Sequence, residues 1–357
     1  MQQSRREFLT MIGAGAAAVT GLAGAPRAAR AAGTVTVLNW QGYGTDEPWA
    51  IKAFTEKTGI EVVSDYFNAE SEMLTKLRTN PGVYDVVLFN SARIQQAVDE
   101  DLLDPVDLAA FPNAAGLAPK LANHPNIVKD GKVYGVAWVW GMNALAIREG
   151  IAAPDSYAVL ADPAYKGKVS LYDDAVTAVA LGAFMTGQDM NAPTDLKAIG
   201  DWLKSLKPNV KVIWSSEDQW NKAFSAKEFD LSVYWSGAAA RSRQKFGLPV
   251  DFTVPKEGAI GWLDALAIPA TSENKDSARA FIDYMIDPAF YVEWATTVGS
   301  PASVNTSAMD KLTASDLNRR IHDPKFIETM TLMAPLADET RESFNNLWQE
   351  VKAFYAG

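Results

Sequence analysis

The sequence predicts two α/β lobes joined by segments that cross between them. Its 357 residues leave about 325 after an export-type leader, more than one ordinary hydrophobic core holds. Strand-like runs alternate with helical patterns, the signature of sheets covered on both faces. Two long apolar segments, 133–141 and 260–268, are suited to carry the chain from one lobe to the other and back.

The elements follow in order. Ser4-Arg5-Arg6-Glu7-Phe8-Leu9-Thr10, an apolar run from Met11 to about Ala23 and the small residues Ala29-Arg30-Ala31 have the layout of a cleaved export signal with paired arginines. The Gly13-Ala14-Gly15 run has no strand before it and is no dinucleotide site. Residues 34–39 are β-branched and apolar and read as a buried strand, with turn formers Gly42 and Gly44 behind them. A helix follows from Thr45 or Asp46, with Pro48 in its first turn and Gly59 as its stop. A second strand at 60–66, a helix at 71–78 and a third strand at 84–89 complete a mostly parallel sheet. Helices are expected at 275–285, 288–297 and 341–355, the last with Phe344, Leu347, Trp348, Val351 and Tyr355 on one buried face. The expected division is a leader at 1–32, one lobe of 33–138 with 264–302, and a second of 139–263 with 303–357.

Composition narrows the chemistry. Zero cysteines exclude disulfides, thiol nucleophiles and cysteine metal sites together. The two histidines, His124 in a turn-like segment and His322 in a helical surface pattern, lack an acid and a nucleophile at recognisable spacing and read as exposed structural residues. Residues 1–32 hold four arginines against Glu7, so the formal charge of −10 becomes −13 once they are removed. Such a surface disfavours nucleic acid and anionic lipid. The acidic run Asp99, Glu100, Asp101, Asp104 and Asp107 lacks the glycine of a calcium loop and reads as a solvated turn, with a cation site as the alternative. No metal and no cofactor is expected. Open α/β sheets bind ligands beyond the carboxyl ends of their strands, which singles out residues 40–43 and 90–93.

Several stretches in order resemble the periplasmic spermidine/putrescine-type substrate-binding proteins of ABC importers. They are Leu38-Asn39-Trp40-Gln41-Gly42-Tyr43, Phe54-Thr55-Glu56-Lys57-Thr58-Gly59, Tyr84-Asp85-Val86-Val87, Tyr234-Trp235-Ser236-Gly237, Pro255-Lys256-Glu257-Gly258 and Trp262-Leu263-Asp264-Ala265. The resemblance spans nearly the whole mature chain. It implies the type II-like periplasmic binding protein fold, two lobes closing on ligand about a hinge, a monomeric receptor with no enzymatic activity, and an inner-membrane ABC permease as partner. It further implies an aromatic box of Trp40, Tyr43, Trp235 and Trp262, with Asp264 and Asp174 as the acids that hold ammonium groups. Asp264 between Leu263 and Ala265 needs a partner in its own right, because a lone carboxylate in an apolar strand is costly.

The departures from the pattern point to a different ligand. Where polyamine receptors place a serine and aromatics after the third strand, this chain has Asn90-Ser91-Ala92-Arg93, and Ala175-Val176-Thr177 follows Asp174 where a second acid is usual. Arg241 follows a run of small residues after Trp235. With Asp264 for an amine and Arg241 or Arg93 for a carboxylate, the expected ligand is a short zwitterion such as γ-aminobutyrate, which a branch of this family binds. Ser91 and Tyr43 complete the expected site. The alternatives are a polyamine receptor, with both arginines on solvated faces, and more distantly an exported hydrolase using Asp173-Asp174.

Overall fold

The computed structural model describes residues 33–313 and 316–357; the export-type leader lies outside the described residues. The first strand, β1 (Gly33–Asn39), buries Val35, Val37 and Leu38. Helix α1 (Pro48–Thr58) starts at the proline rather than at Thr45 or Asp46, and ends at Gly59, whose φ of 73° is the left-handed conformation that glycine adopts without strain. Then come β2 (Ile60–Tyr66), α2 (Glu70–Thr79), β3 (Val86–Asn90) and α3 (Ser91–Asp99). The 13-residue β4 (Val136–Arg148) crosses into the second lobe. That lobe holds β5 (Val169–Tyr172), α4 (Ala175–Thr186), α5 (Leu196–Ser205), β6 (Val210–Trp214), α6 (Glu217–Ser225), β7 (Leu231–Trp235), α7 (Ser236–Gln244) and β8 (Val250–Thr253). The chain returns along β9 (Ile260–Ala267) to α8 (Lys275–Met285) and α9 (Pro288–Thr297). It then passes β10 (Ala302–Ser303) and β11 (Thr331–Leu332) to end in α10 (Asp338–Ala356).

The sheet is mixed, which corrects the mostly parallel expectation. Its strands run in the order β2-β1-β3-β9-β4-β7-β5-β6, with β8 and β10 attached to β4 and β11 to β9. Pairs within each lobe are parallel, β1 with β2 and β3, and β5 with β6 and β7. The junctions β3–β9, β9–β4 and β4–β7 are antiparallel, because one crossing strand leaves the first lobe and the other returns to it. A 13-residue strand spans about 43 Å, enough to serve both lobes. The near half of β4 pairs with β9, which pairs with β3; its far half, from Asn143 to Ile147, pairs with β7.

Two apolar cores result. One fills the first lobe around Val37, Phe54, Phe89 and Phe281 and continues along β4 and β9 to Trp214, Trp220 and Tyr234. The other lies in the second lobe among Leu171, Val179, Ile199, Leu203, Phe344 and Trp348, where α10 packs on α4 and α5. Residues 304–305, just after β10, stay with the first lobe: Ala118 donates its N–H to Val304 O at 2.9 Å, and Asn305 Nδ2 reaches Ile286 O at 3.0 Å.

His322 departs from the surface expectation. It is fully buried, because its helical turn packs on α7, with Nε2 2.8 Å from Ser236 Oγ and Nδ1 3.1 Å from the Asn318 carbonyl. Burial holds its pKa down at about 3, so it is neutral at physiological pH. His124 is half-buried and accepts the Asn126 N–H at the start of a short turn. The acidic run separates into local contacts: Asp99 with Lys129, Glu100 with Arg78 at 2.6 Å, Asp104 with Lys275, and Asp107 accepting the Ala109 N–H. Among the described residues no group of three or more His, Asp or Glu side chains is arranged to hold a metal ion.

Asp85 ties the first lobe together, accepting from Thr36 N–H at 2.9 Å and Ser272 Oγ at 2.7 Å while only 1% exposed. Asp85→Ala takes the acceptor from these two donors and from Asn274 Nδ2 at 3.3 Å. The expected cost is about 2–3 kcal/mol in urea unfolding, with a smaller loss for Asp85→Asn.

Candidate functional site

The antiparallel junctions at the centre of the sheet place one row of side chains on one face. Residues directly opposite in register share a face, as do residues two apart on a strand. Asp264 lies opposite Asn90, Trp262 opposite Gly141, and Asn143 opposite both Ile260 and Trp235. Asn90, Asp264, Trp262, Gly141, Asn143 and Trp235 therefore form one continuous strip from the first lobe to the second. Between Asp264 and Ala265 the pairing steps from Val139 to Ala137, a bulge that leaves Trp138 unopposed beside the acid. Gly141 is glycine for a reason: a Cβ there would lie 2.3 Å from the six-membered ring of Trp262.

Asp264 is 7% exposed and has partners from two elements. Tyr43 Oη donates to Oδ2 at 2.9 Å and Asn90 Nδ2 to Oδ1 at 3.2 Å. The Asn90 Oδ1 accepts the Ala92 N–H at the start of α3, which fixes the amide's orientation. No cation lies within ion-pair distance of Asp264 among the described residues. Burial, with Glu70 adding to it against the two hydrogen bonds, pushes its pKa up to about 7. Its carboxyl is thus poised to lose a proton when a cation arrives.

Around this acid lies an aromatic and polar wall. The Arg241 guanidinium carbon is 6.0 Å from the Tyr43 ring centre. Trp235 packs edge-on against Tyr172 at 4.9 Å and Trp214 at 5.0 Å. Trp262 Nε1 and Asn143 Oδ1 are buried without a hydrogen-bond partner, although Asn143 Nδ2 is engaged by Thr177 Oγ1 at 3.1 Å. Trp49, Trp140, Trp214 and Trp294 also bury an unpartnered Nε1, so it is the place of Trp262 and Asn143 on the strip, rather than the missing partner alone, that marks them. Trp40 is half-buried with its ring 4.5 Å from Phe67, and Ser91 is buried at the first residue of α3, 3.5 Å from Asn126 Nδ2.

The arginines are more engaged than their sequence context shows. Arg241 is 9% exposed and holds Glu217 through Nε at 3.1 Å and Nη2 at 2.6 Å. Burial opposes its charge but Glu217 outweighs it, leaving its pKa raised and only Nη1 unpartnered. The small residues before it serve packing rather than ligand approach, since Gly237 faces the Pro301 backbone. Arg93 Nε donates to Glu70 Oε2 at 2.9 Å, and burial raises the pKa of Glu70 against that pairing. Asp174 Oδ1 caps α4 by accepting the Thr177 N–H at 2.7 Å. Asn90 lies in the 90–93 stretch picked from the sequence, whereas Glu70, Asn143, Tyr172, Glu217 and Arg341 were not singled out. The strand-end rule that picks residues 40–43 and 90–93 covers Glu70 after β2, Tyr172 closing β5 and Glu217 after β6 equally well.

A family model for bacterial extracellular solute-binding protein matches residues 49–319. The chain belongs to the bacterial extracellular solute-binding proteins. It is 31% identical over 274 residues to the spermidine/putrescine-binding periplasmic protein of Escherichia coli K12, covering 75% of this chain and 77% of that protein. The crystal structure of the spermidine/putrescine ABC transporter substrate-binding protein PotD of Streptococcus pneumoniae superposes with a TM-score of 0.80 at 25% identity, covering 90% of this chain and 99% of that one. A GABA receptor shares the fold, with a TM-score of 0.66 at 20% identity over 90% and 97% of the two chains. The fold is the two-lobed, type II-like periplasmic binding protein fold, as expected from the sequence.

Asp264 generates a signed pH prediction. Its folded pKa of about 7 lies above the ordinary carboxylate value near 4, so its contribution to stability is complete below about pH 4 and is lost as pH rises towards 7. Asp264→Asn is expected to raise the melting temperature of the ligand-free protein at pH 8 and to leave it nearly unchanged at pH 4. An equal melting temperature at pH 8 refutes the buried, unpaired acid. Gly141→Ala is expected to displace Trp262 and weaken ligand binding by about tenfold or more, read by tryptophan fluorescence titration.

Proposed function

We propose that this protein is the periplasmic receptor of an ABC importer and captures a short amine-bearing ligand between its lobes, with the ammonium on Asp264. The observation that carries the reading is a buried carboxylate with no cation within ion-pair distance, hydrogen-bonded by Tyr43 and sharing its sheet face with Trp262 and, further along the strip, Trp235. An ammonium over an aromatic face gains roughly 0.5–2 kcal/mol, and a facing carboxylate adds charge-assisted hydrogen bonds. Asn143 Oδ1 offers a further acceptor. Trp40, Ser91, Asp174 and the two arginines Arg93 and Arg241 complete the pocket in this reading.

The best ligand class is a γ-aminobutyrate-like zwitterion. Guanidinium groups on α3 and α7 flank a cleft that, for a polyamine, would present acids at both ends. Polyamine binding is the second reading, favoured by the curated relative at 31% identity whose name records spermidine and putrescine. The lobe division belongs to the same proposal: 33–138 with 264–302 against 139–263 with 303–357, with residues 304–305 drawn onto the first lobe and α10 left on the second. So do export by the paired-arginine leader, a monomeric state, docking on an inner-membrane permease and the absence of turnover. No step of the reading calls for a cofactor, metal or nucleic acid.

Mass spectrometry of ligand released from denatured protein, followed by calorimetric titration of γ-aminobutyrate, putrescine and spermidine, tests the ligand class. Asp264→Asn should weaken any amine that binds by about 2–5 kcal/mol with the fold intact. Below pH 7 the ligand must displace a proton, so its apparent Kd should rise by up to about tenfold per pH unit. Normal amine binding by a folded Asp264→Asn protein removes the assignment. Turnover of a sugar or ester substrate, abolished by substitution at Asp173 or Asp174, would replace the receptor reading with a hydrolase.

A further inference from the structure

The C-terminal segment brings an arginine to the cleft that no sequence motif marks. Before α10 the chain forms a strap. Met333 N–H donates to Gly261 O at 2.9 Å, and its carbonyl accepts from Asn126 Nδ2 at 3.1 Å, the same amide that approaches Ser91 in the first lobe. On the other side Asn191 holds the strap from the second lobe, donating to Leu332 O at 3.0 Å and accepting the Ala334 N–H at 3.0 Å. The strap thus joins the Asn126–Ser91 side of the first lobe to Asn191 of the second. It leads into α10, where Arg341 in the first turns reaches back to the Leu336 carbonyl at the end of the strap and lies within electrostatic reach of Arg93, Glu70 and Asp174.

Charges at this end do not balance around Arg341. Glu70 is engaged by Arg93, and Asp174 Oδ1 is engaged by the α4 backbone. Arg341 Nη2 reaches only the Leu336 carbonyl at 3.3 Å, and its Nε is buried with no partner. No carboxylate lies within ion-pair distance of it among the described residues. Burial first, and then repulsion from Arg93, disfavour its charge, with Glu70, Asp338 and Asp174 acting in the opposite direction at longer range. Arg241 is the contrasting case, because Glu217 already meets its charge in bidentate fashion.

We infer that Arg341 is the anion-binding end of the ligand cleft and that Arg341 rather than Arg241 selects a zwitterionic over a dicationic amine. This rests on the reading of the cleft as an amine site with the ammonium on Asp264. A carboxylate placed against Arg341 gives a fork-shaped donor its planar partner and relieves the repulsion from Arg93. A second ammonium at the same place meets the repulsion of the Arg341 and Arg93 guanidinium groups, with Asp174 the acid of the group that has no paired cation.

Titration calorimetry of wild type, Arg341→Gln and Arg241→Gln with γ-aminobutyrate, putrescine and the dicarboxylate glutarate decides the matter, with melting curves to confirm folding. Arg341→Gln is expected to weaken γ-aminobutyrate by about tenfold or more and to leave putrescine unchanged or tighter. Arg341→Lys, which keeps charge but not the fork, should fall between. γ-Aminobutyrate affinity within about twofold of wild type in folded Arg341→Gln overturns the inference, and so does wild-type binding of putrescine in preference to γ-aminobutyrate. Should Arg341→Gln fail to fold, Arg341→Lys carries the same test. If neither amine binds but glutarate does so through Arg341, the anion end stands and the amine reading falls. Binding of none of the three overturns both.

Discussion

A carboxylate in the middle of an apolar crossing strand organises this molecule. Asp264 sits on β9 where the two lobes share their backbone ladder, and every group that approaches it comes from a different part of the chain. Tyr43 arrives from the loop after β1, Asn90 from the end of β3, and Trp138 is left unopposed by the bulge next to it. A buried acid without a cation costs stability, and two neutral donors offset only part of that cost. The residue is therefore poorly explained as a structural element and well explained as half of an ion pair whose other half is diffusible.

The same constraint explains the mixed sheet. A ligand held between two lobes must be reached by elements of both, and only strands that pass from one lobe to the other place Asp264 and Trp235 on one continuous face. β4 does this by length: its near half pairs with β9 and its far half with β7. Parallel strands inside each lobe supply loops at their carboxyl ends, and the crossing strands aim those loops at each other. Relative motion of the lobes about β4 and β9 would leave Asp264 near the axis while the arginines on α3, α7 and α10 travel further. An amine site at the hinge and an anion site away from it would then respond differently to closure.

Local pattern made much of the fold legible. β1, α1, β2 and both crossing strands could be read because each carries its own signal: β-branched runs, Pro48 opening a helix, Gly59 closing it, apolar stretches too long for a loop. The site was legible where a residue violates its surroundings, as Asp264 does between Leu263 and Ala265. What could not be read were the partnerships. Glu217 and Arg241, or Glu70 and Arg93, are more than twenty residues apart and meet only after tertiary packing, so the arginines looked like free cations in the sequence. His322 looked exposed because its helical context is polar, and its burial depends on a contact with Ser236 from another element.

Those partnerships change what counts as a binding residue. An arginine already met by a part-buried glutamate contributes hydrogen-bond donors but little net charge, whereas one held only by a backbone carbonyl contributes both. On this measure Arg241 and Arg93 are largely answered by Glu217 and Glu70, while Asp264 and Arg341, like Asp174, have no oppositely charged group within ion-pair distance among the described residues. The two lie on β9 and α10, elements anchored to opposite lobes and joined by the strap at Met333 and Asn191. In the proposed reading a ligand with opposite charges at its two ends would answer both at once and hold the lobes together, so that closure would report occupancy to a membrane partner.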